Sequence, residues 1–88
     1  METILEKVKL SLRISNNVYD NELEDLINAC KVDLEYSEIT YSEPDDLIIQ
    51  AIKLYCKAHF DNENMERYDK AYNDLKAVLK ISGEYQNG

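Results

Sequence analysis

The stretch DDLIIQAIKLYCKAHF, Asp45 to Phe60, decides the fold. Leu47, Ile48, Ile49, Ala51, Ile52, Leu54, Tyr55, Cys56 and Ala58 spread apolar side chains around most of a helical circumference. Only Gln50, Lys53 and Lys57 form a polar stripe, at i, i+3 and i+7. Ahead of it, Ser42-Glu43-Pro44-Asp45 offers a capping hydroxyl, a proline for the first turn and an acid at the third position. The spacing therefore predicts a helix from about Pro44 to Phe60. A helix buried on most sides lies at the centre of a bundle or against another subunit. An 88-residue chain has few elements with which to cover it, which is an argument for self-association.

Downstream, Met65, Tyr68, Tyr72, Leu75 and Leu79 recur at intervals of 3, 4, 3 and 4, a heptad-like seam, with Arg67, Asp69, Lys70 and Asp74 on the outside. Upstream, Leu23, Ile27, Cys30 and Leu34 form a stripe widened by Leu26. Asp20 or Asn21 can cap its first turn, and Glu24 follows Asn21 at the capping-box spacing. Near the N-terminus, Leu5, Val8 and Leu12, with Ile4 beside them, mark a short helix. Its acids Glu2 and Glu6 lie near the start and Lys9 and Arg13 near the end, as the helix dipole favours. Ser15-Asn16-Asn17 supplies turn-forming residues to stop it. The expectation is an all-α fold: one domain over residues 1–88, a small bundle of four helices (about 3–12, 21–36, 44–60 and 64–79), short loops and a flexible tail over 81–88.

Composition agrees. Hydrophobic residues make up 44% and charged residues 32%, too apolar for a disordered chain. With 2 Gly and 1 Pro there is little material for the many turns of an all-β domain. Net charge is −8, which argues against nucleic-acid binding by phosphate neutralisation and against attraction to an anionic membrane. The charge is concentrated: residues 14–46 carry ten acids (Asp20, Glu22, Glu24, Asp25, Asp33, Glu35, Glu38, Glu43, Asp45 and Asp46) against Lys31 alone. Such a surface is either a solvated face that aids solubility, or a patch that docks a basic partner or lets DNA slide past. No apolar run approaches a membrane span, and Met1-Glu2-Thr3-Ile4 lacks the basic and apolar regions of a secretory signal, so a soluble cytosolic product is expected.

Candidate chemistry is sparse. His59 is the single histidine and has no ligand or catalytic partner at helical spacing. Serines 11, 15, 37, 42 and 82 lack a nucleophile-elbow context. Cys30 and Cys56 have no C-x-x-C spacing and lie on or beside apolar stripes, as small reduced core residues do. Asp61-Asn62-Glu63-Asn64 opens like a calcium loop, but Met65, Glu66 and Tyr72 stand where that loop needs a ligand, a glycine and a glutamate. Glu43, Asp45 and Asp46 flank a helix start, where acids are common without a metal. Seven tyrosines (19, 36, 41, 55, 68, 72 and 85) are the oddest feature; they suit either half-buried positions or an interface. No catalytic, cofactor-binding or metal-ligating residue is assigned, and the chain is expected not to be an enzyme.

Several stretches carry a family resemblance. Leu5 to Ile14 (LEKVKLSLRI) resembles the opening hydrophobic-x-x-V-K-x-x-L-R-I of small tailed-phage head–tail connector proteins, also known as putative DNA-packaging proteins. Asp20 to Cys30 (DNELEDLINAC) fits their acidic helix start. Asp45 to Phe60 resembles D-x-L-I-x-x-A-I-x-L-Y-x-K-A-x-F, and Glu66 to Lys76 (ERYDKAYNDLK) resembles E-R-Y-x-x-x-Y-x-x-L-K. The set covers nearly the whole chain, in order. The short L-R-G-like ending of some members is absent; Ile81 to Gly88 is a different ending.

The resemblance implies an all-α adaptor without catalysis or cofactor. Such a protein would dock under the portal protein, form a twelve-fold ring that extends the DNA channel, and meet a tail-side connector or stopper protein. It would sit in the host cytoplasm during assembly and then in the virion at the head–tail interface. The connection from Ser37 to Pro44 and the acidic second helix are the expected contact elements. A different reading of the charge is a small acidic inhibitor that imitates DNA and occupies a basic protein groove. A helix-turn-helix DNA binder has too few bases on its candidate recognition helices.

Overall fold

The structure, a computed structural model, describes residues 3–60 and 64–82. These form four helices and no strand: α1 (Ile4–Leu12), α2 (Asp20–Tyr36), α3 (Asp46–Phe60) and α4 (Met65–Ile81). All four expected helices are present, with ends shifted by one or two residues.

The shifts have local causes. At α3, the cap is Asp45 and not Ser42: its Oδ1 accepts from the Ile48 N–H at 3.0 Å and its carbonyl from the Ile49 N–H at 2.9 Å. That leaves Pro44 outside the first turn, one residue before the cap. At α2, neither Asp20 nor Asn21 caps. The helix begins at Asp20 behind Tyr19, which makes no side-chain capping bond. Asp20 is instead drawn to Lys9 at 2.8 Å, and Lys9 also donates to Asn17 at 2.9 Å. One lysine near the end of α1 thus fixes the α1–α2 turn. At α1 the expected start holds, with Thr3 Oγ1 accepting from the Glu6 N–H.

The ends of α1 and α2 share a device that the sequence conceals. Arg13 has φ 60° and Glu38 has φ 63°, both left-handed. The next residue then bonds five back, Ile14 N–H to the Lys9 carbonyl and Ile39 N–H to the Leu34 carbonyl, each at 2.9 Å. Both are Schellman-type closures, normally built on glycine. In α1 the stop therefore comes at Arg13, ahead of the Ser15-Asn16-Asn17 turn. The residue after each left-handed position turns inward: Ile39 is buried in the core and Ile14 packs against it. Burying an isoleucine offsets a left-handed penalty of roughly 1–2 kcal/mol.

Helix α3 is the hub and packs on α1, α2 and α4. Its Ile48, Ala51, Ile52, Cys56 and Ala58 are buried, and Leu54 and Tyr55 are half-buried against the core. Most of the apolar circumference is thus covered within one chain, but Leu47 is 45% exposed and Ile49 is half-buried on an open groove. Three neighbours of the same chain account for most of the burial that the pattern of this helix calls for. Around it stand Val8 from α1, Leu23, Ile27, Cys30 and Leu34 from α2, and Tyr72 and Leu79 from α4. The seam of α4 is engaged only in part: Tyr68 and Leu75 are half-buried and Met65 is exposed. Ile81 closes α4, so the expected tail loses its first residue to the helix. Residues 83–88 lie outside the described residues, as do Asp61, Asn62 and Glu63 of the calcium-loop-like stretch. The extents are 40 × 30 × 18 Å. A thickness of 18 Å is two helix layers.

Candidate interaction surface

The acidic segment divides into two populations. Asp20, Asp33 and Asp45 have internal duties as partner of Lys9, partner of Lys76 and cap of α3. Glu22, Glu24, Asp25, Glu35, Glu38, Glu43 and Asp46 are exposed. Four of these seven lie on α2, so α2 presents the acidic surface.

Asp33 anchors the main polar cluster. Its Oδ2 accepts from Tyr72 Oη at 2.6 Å and from Lys76 Nζ at 2.9 Å. Lys76 also donates to Ser37 Oγ at 3.3 Å and lies 5.0 Å from the centre of the Tyr72 ring. Cys30 Sγ is 3.7 Å from Tyr72 Oη, and Tyr55 meets the Tyr72 ring edge-on at 5.3 Å. The cluster bolts the C-terminal half of α2 to α4. Burial alone would raise the Asp33 carboxyl, but the bonds from Tyr72 and Lys76 and the Lys76 charge outweigh it and hold it below the ordinary carboxylate value. Burial, reinforced by donation to Asp33, pushes the Tyr72 phenol far above its usual range. An acid held ionised and a phenol held neutral do not exchange protons near neutral pH, whereas acid–base catalysis needs groups poised there. The cluster is built as a fastener.

Cys30 and Cys56 are free and fully buried, and burial pushes each thiol up to about 12. That is the environment of a small core hydrophobe. His59 is exposed and lies against Tyr55, ring centres 4.1 Å apart. Ser11 donates to the Val8 carbonyl, and Ser37 belongs to the Asp33 cluster. Among the described residues, no three of His, Cys, Asp and Glu gather as a metal site, and no helix is long and apolar enough to cross a membrane.

Most of the tyrosines serve the fold. Tyr72 is buried, and Tyr41 and Tyr55 pack against the core. Tyr19 meets Phe60 edge-on at 5.2 Å, closing the α1–α2 turn over the end of α3. Tyr68 takes Lys57 over its ring at 5.4 Å. Tyr85 lies outside the described residues. Tyr36 differs, being 84% exposed. It continues a stripe on α2 formed by Ala29 and Val32, at i, i+3 and i+7, on the face opposite Leu23, Ile27, Cys30 and Leu34. Sequence reasoning took the stronger stripe as the whole message. The same spacing rule applied to the opposite face would have found the second.

The Ser37–Pro44 connection is largely an internal element. Ile39 is buried, Tyr41 packs on the core and Ser37 is bonded to Lys76, leaving Glu38, Ser42 and Glu43 outward.

A family model described as phage connector protein matches residues 4–86, which takes in all four helices. No curated protein and no solved structure matches the chain.

Proposed function

The chain belongs to the phage connector protein family, and on that premise we propose that it is a head–tail connector without catalytic activity. It docks to the portal protein at the capsid vertex, forms a ring that extends the DNA channel, and offers the far side of that ring to a tail-side connector or stopper protein. Twelve-fold symmetry is the proposed stoichiometry. The protein assembles in the host cytoplasm and remains in the virion at the head–tail interface.

The observation that carries this reading is the match over residues 4–86, nearly the full chain. Two features support it. The net charge of −8 gives the chain a field that repels phosphates, as a channel needs if DNA is to pass without sticking. The polar cluster around Asp33 is arranged to hold helices together and not to move protons.

Quantitative mass spectrometry of purified phage particles tests it. The expected result is this chain at a copy number like that of the portal and far below that of the major capsid protein. A chain abundant in infected cells but missing from particles would overturn the connector reading and favour the acidic inhibitor.

A further inference from the structure

Two surfaces on different helices complement each other in shape and in charge. The first is the outward ridge of α2: Ala29, Val32 (48% exposed) and Tyr36 (84% exposed). Glu22 and Asp25 lie at its N-terminal end and Glu35 beside Tyr36, all exposed. The second is an open groove of about 500 Å³ between α1 and α3, lined by Lys7, Leu10, Asp46, Ile49, Gln50 and Lys53. Leu10 is 71% exposed there.

We infer that the α2 ridge of one copy seats in the α1–α3 groove of a second copy. Three observations carry this. Both surfaces have an apolar centre, with a tyrosine offered on one side and Leu10 and Ile49 on the other; tyrosine is the kind of residue that anchors interfaces. The rims are of opposite sign, Glu22, Asp25 and Glu35 against Lys7 and Lys53, with Asp46 the one acid in the groove. The lengths agree: Ala29 to Tyr36 and Asp46 to Lys53 are each seven helical steps, roughly 10 Å at 1.5 Å per residue. Ridge and groove share no residue, so the contact can repeat head-to-tail: the copy that gives its ridge keeps its groove, and the copy that gives its groove keeps its ridge, for further copies. This deepens the connector reading and rests on it for the ring, but the contact itself is a property of the chain.

Disulfide trapping decides it. Leu10→Cys/Tyr36→Cys places one new thiol in the groove and one on the ridge, both at exposed positions. The native thiols are buried and held protonated, so mild oxidation at pH 8 reports the new pair. The full-length variant is oxidised at millimolar concentration and, separately, in purified particles. The expected result is a ladder of linked multimers, with mixed Leu10→Cys and Tyr36→Cys single variants giving only 10–36 dimers. Adding Lys7→Glu/Lys53→Glu should weaken the ladder several-fold at low salt. Dimers formed mainly through 10–10 or 36–36 links, or no ladder in either setting, would overturn the inference. Particles without the protein would instead refute the connector reading, while the solution arm still decides the contact.

Discussion

Replacing Tyr72 by Phe isolates one hydroxyl in the cluster that joins α2 to α4. The ring stays, so the apolar contacts with Tyr55 and the core are kept. What is lost is the 2.6 Å bond to the Asp33 carboxylate and the 3.7 Å contact with Cys30. A hydrogen bond to a charged group contributes about 1.5–3 kcal/mol when buried. Asp33 keeps Lys76 and its side chain is 39% exposed, so water can replace part of the loss. The expected destabilisation is therefore about 1 kcal/mol, below the buried range. For a domain of this size that lowers Tm by about 4–8 °C. Thermal and urea unfolding followed by circular dichroism measures it. A double-mutant cycle of Tyr72→Phe with Asp33→Ala should return most of the effect as coupling. Tyr72→Ala, which also opens a cavity, should cost about 3–5 kcal/mol. A Tm change under about 2 °C for Tyr72→Phe, or additive effects in the cycle, would refute the claim that the hydroxyl fastens α2 to α4.

Further outcomes follow from the same geometry. Asp33 has a folded-state pKa below its unfolded value near 3.8, so its stabilisation is complete above that value and is lost as pH falls through the folded one. The stability of Asp33→Asn should accordingly fall less than that of the native protein between pH 5 and 2.5 in matched urea titrations. Cys30 and Cys56 run the other way: their pKa values rise from 9.0 to about 12, so stability should decline as pH climbs from 9 toward 12. Both thiols should also react with an aromatic disulfide reagent at pH 8 only as fast as the protein opens, and prompt labelling in the native state would contradict their burial. Glu38→Gly should raise stability by about 0.5–1 kcal/mol by removing the left-handed penalty at φ 63°, whereas Glu38→Val should lower it. Thermal melts of the two variants against the native protein give the sign directly.

Much of the fold was legible because apolar spacing records the environment of each helix. The stripes at Leu23, Ile27, Cys30 and Leu34 and at Tyr72 and Leu79 are buried as read. The ordered resemblance to phage connectors, read from short helical stretches, agrees with the family match over residues 4–86. Helix ends were less legible. A cap depends on which oxygen reaches which N–H, and Asp45 reaches Ile48 where Ser42 had offered an equally good sequence signal. The left-handed stops at Arg13 and Glu38 carry no glycine to announce them.

The sequence by itself determined that this chain is helical, that α3 is apolar on most sides, and that acids crowd residues 14–46. These are properties of composition and period, which each residue contributes locally. Only the tertiary structure decided what covers α3, because a periodic pattern states how much surface is apolar and not which element meets it. Three neighbouring helices of the same chain cover most of it, and Leu47 and Ile49 are left at least partly open. Likewise only packing gave Asp20, Asp33 and the exposed Asp45 their partners within the fold. Asp33 and Lys76 lie 43 residues apart, a separation on which short-range periodicity is silent.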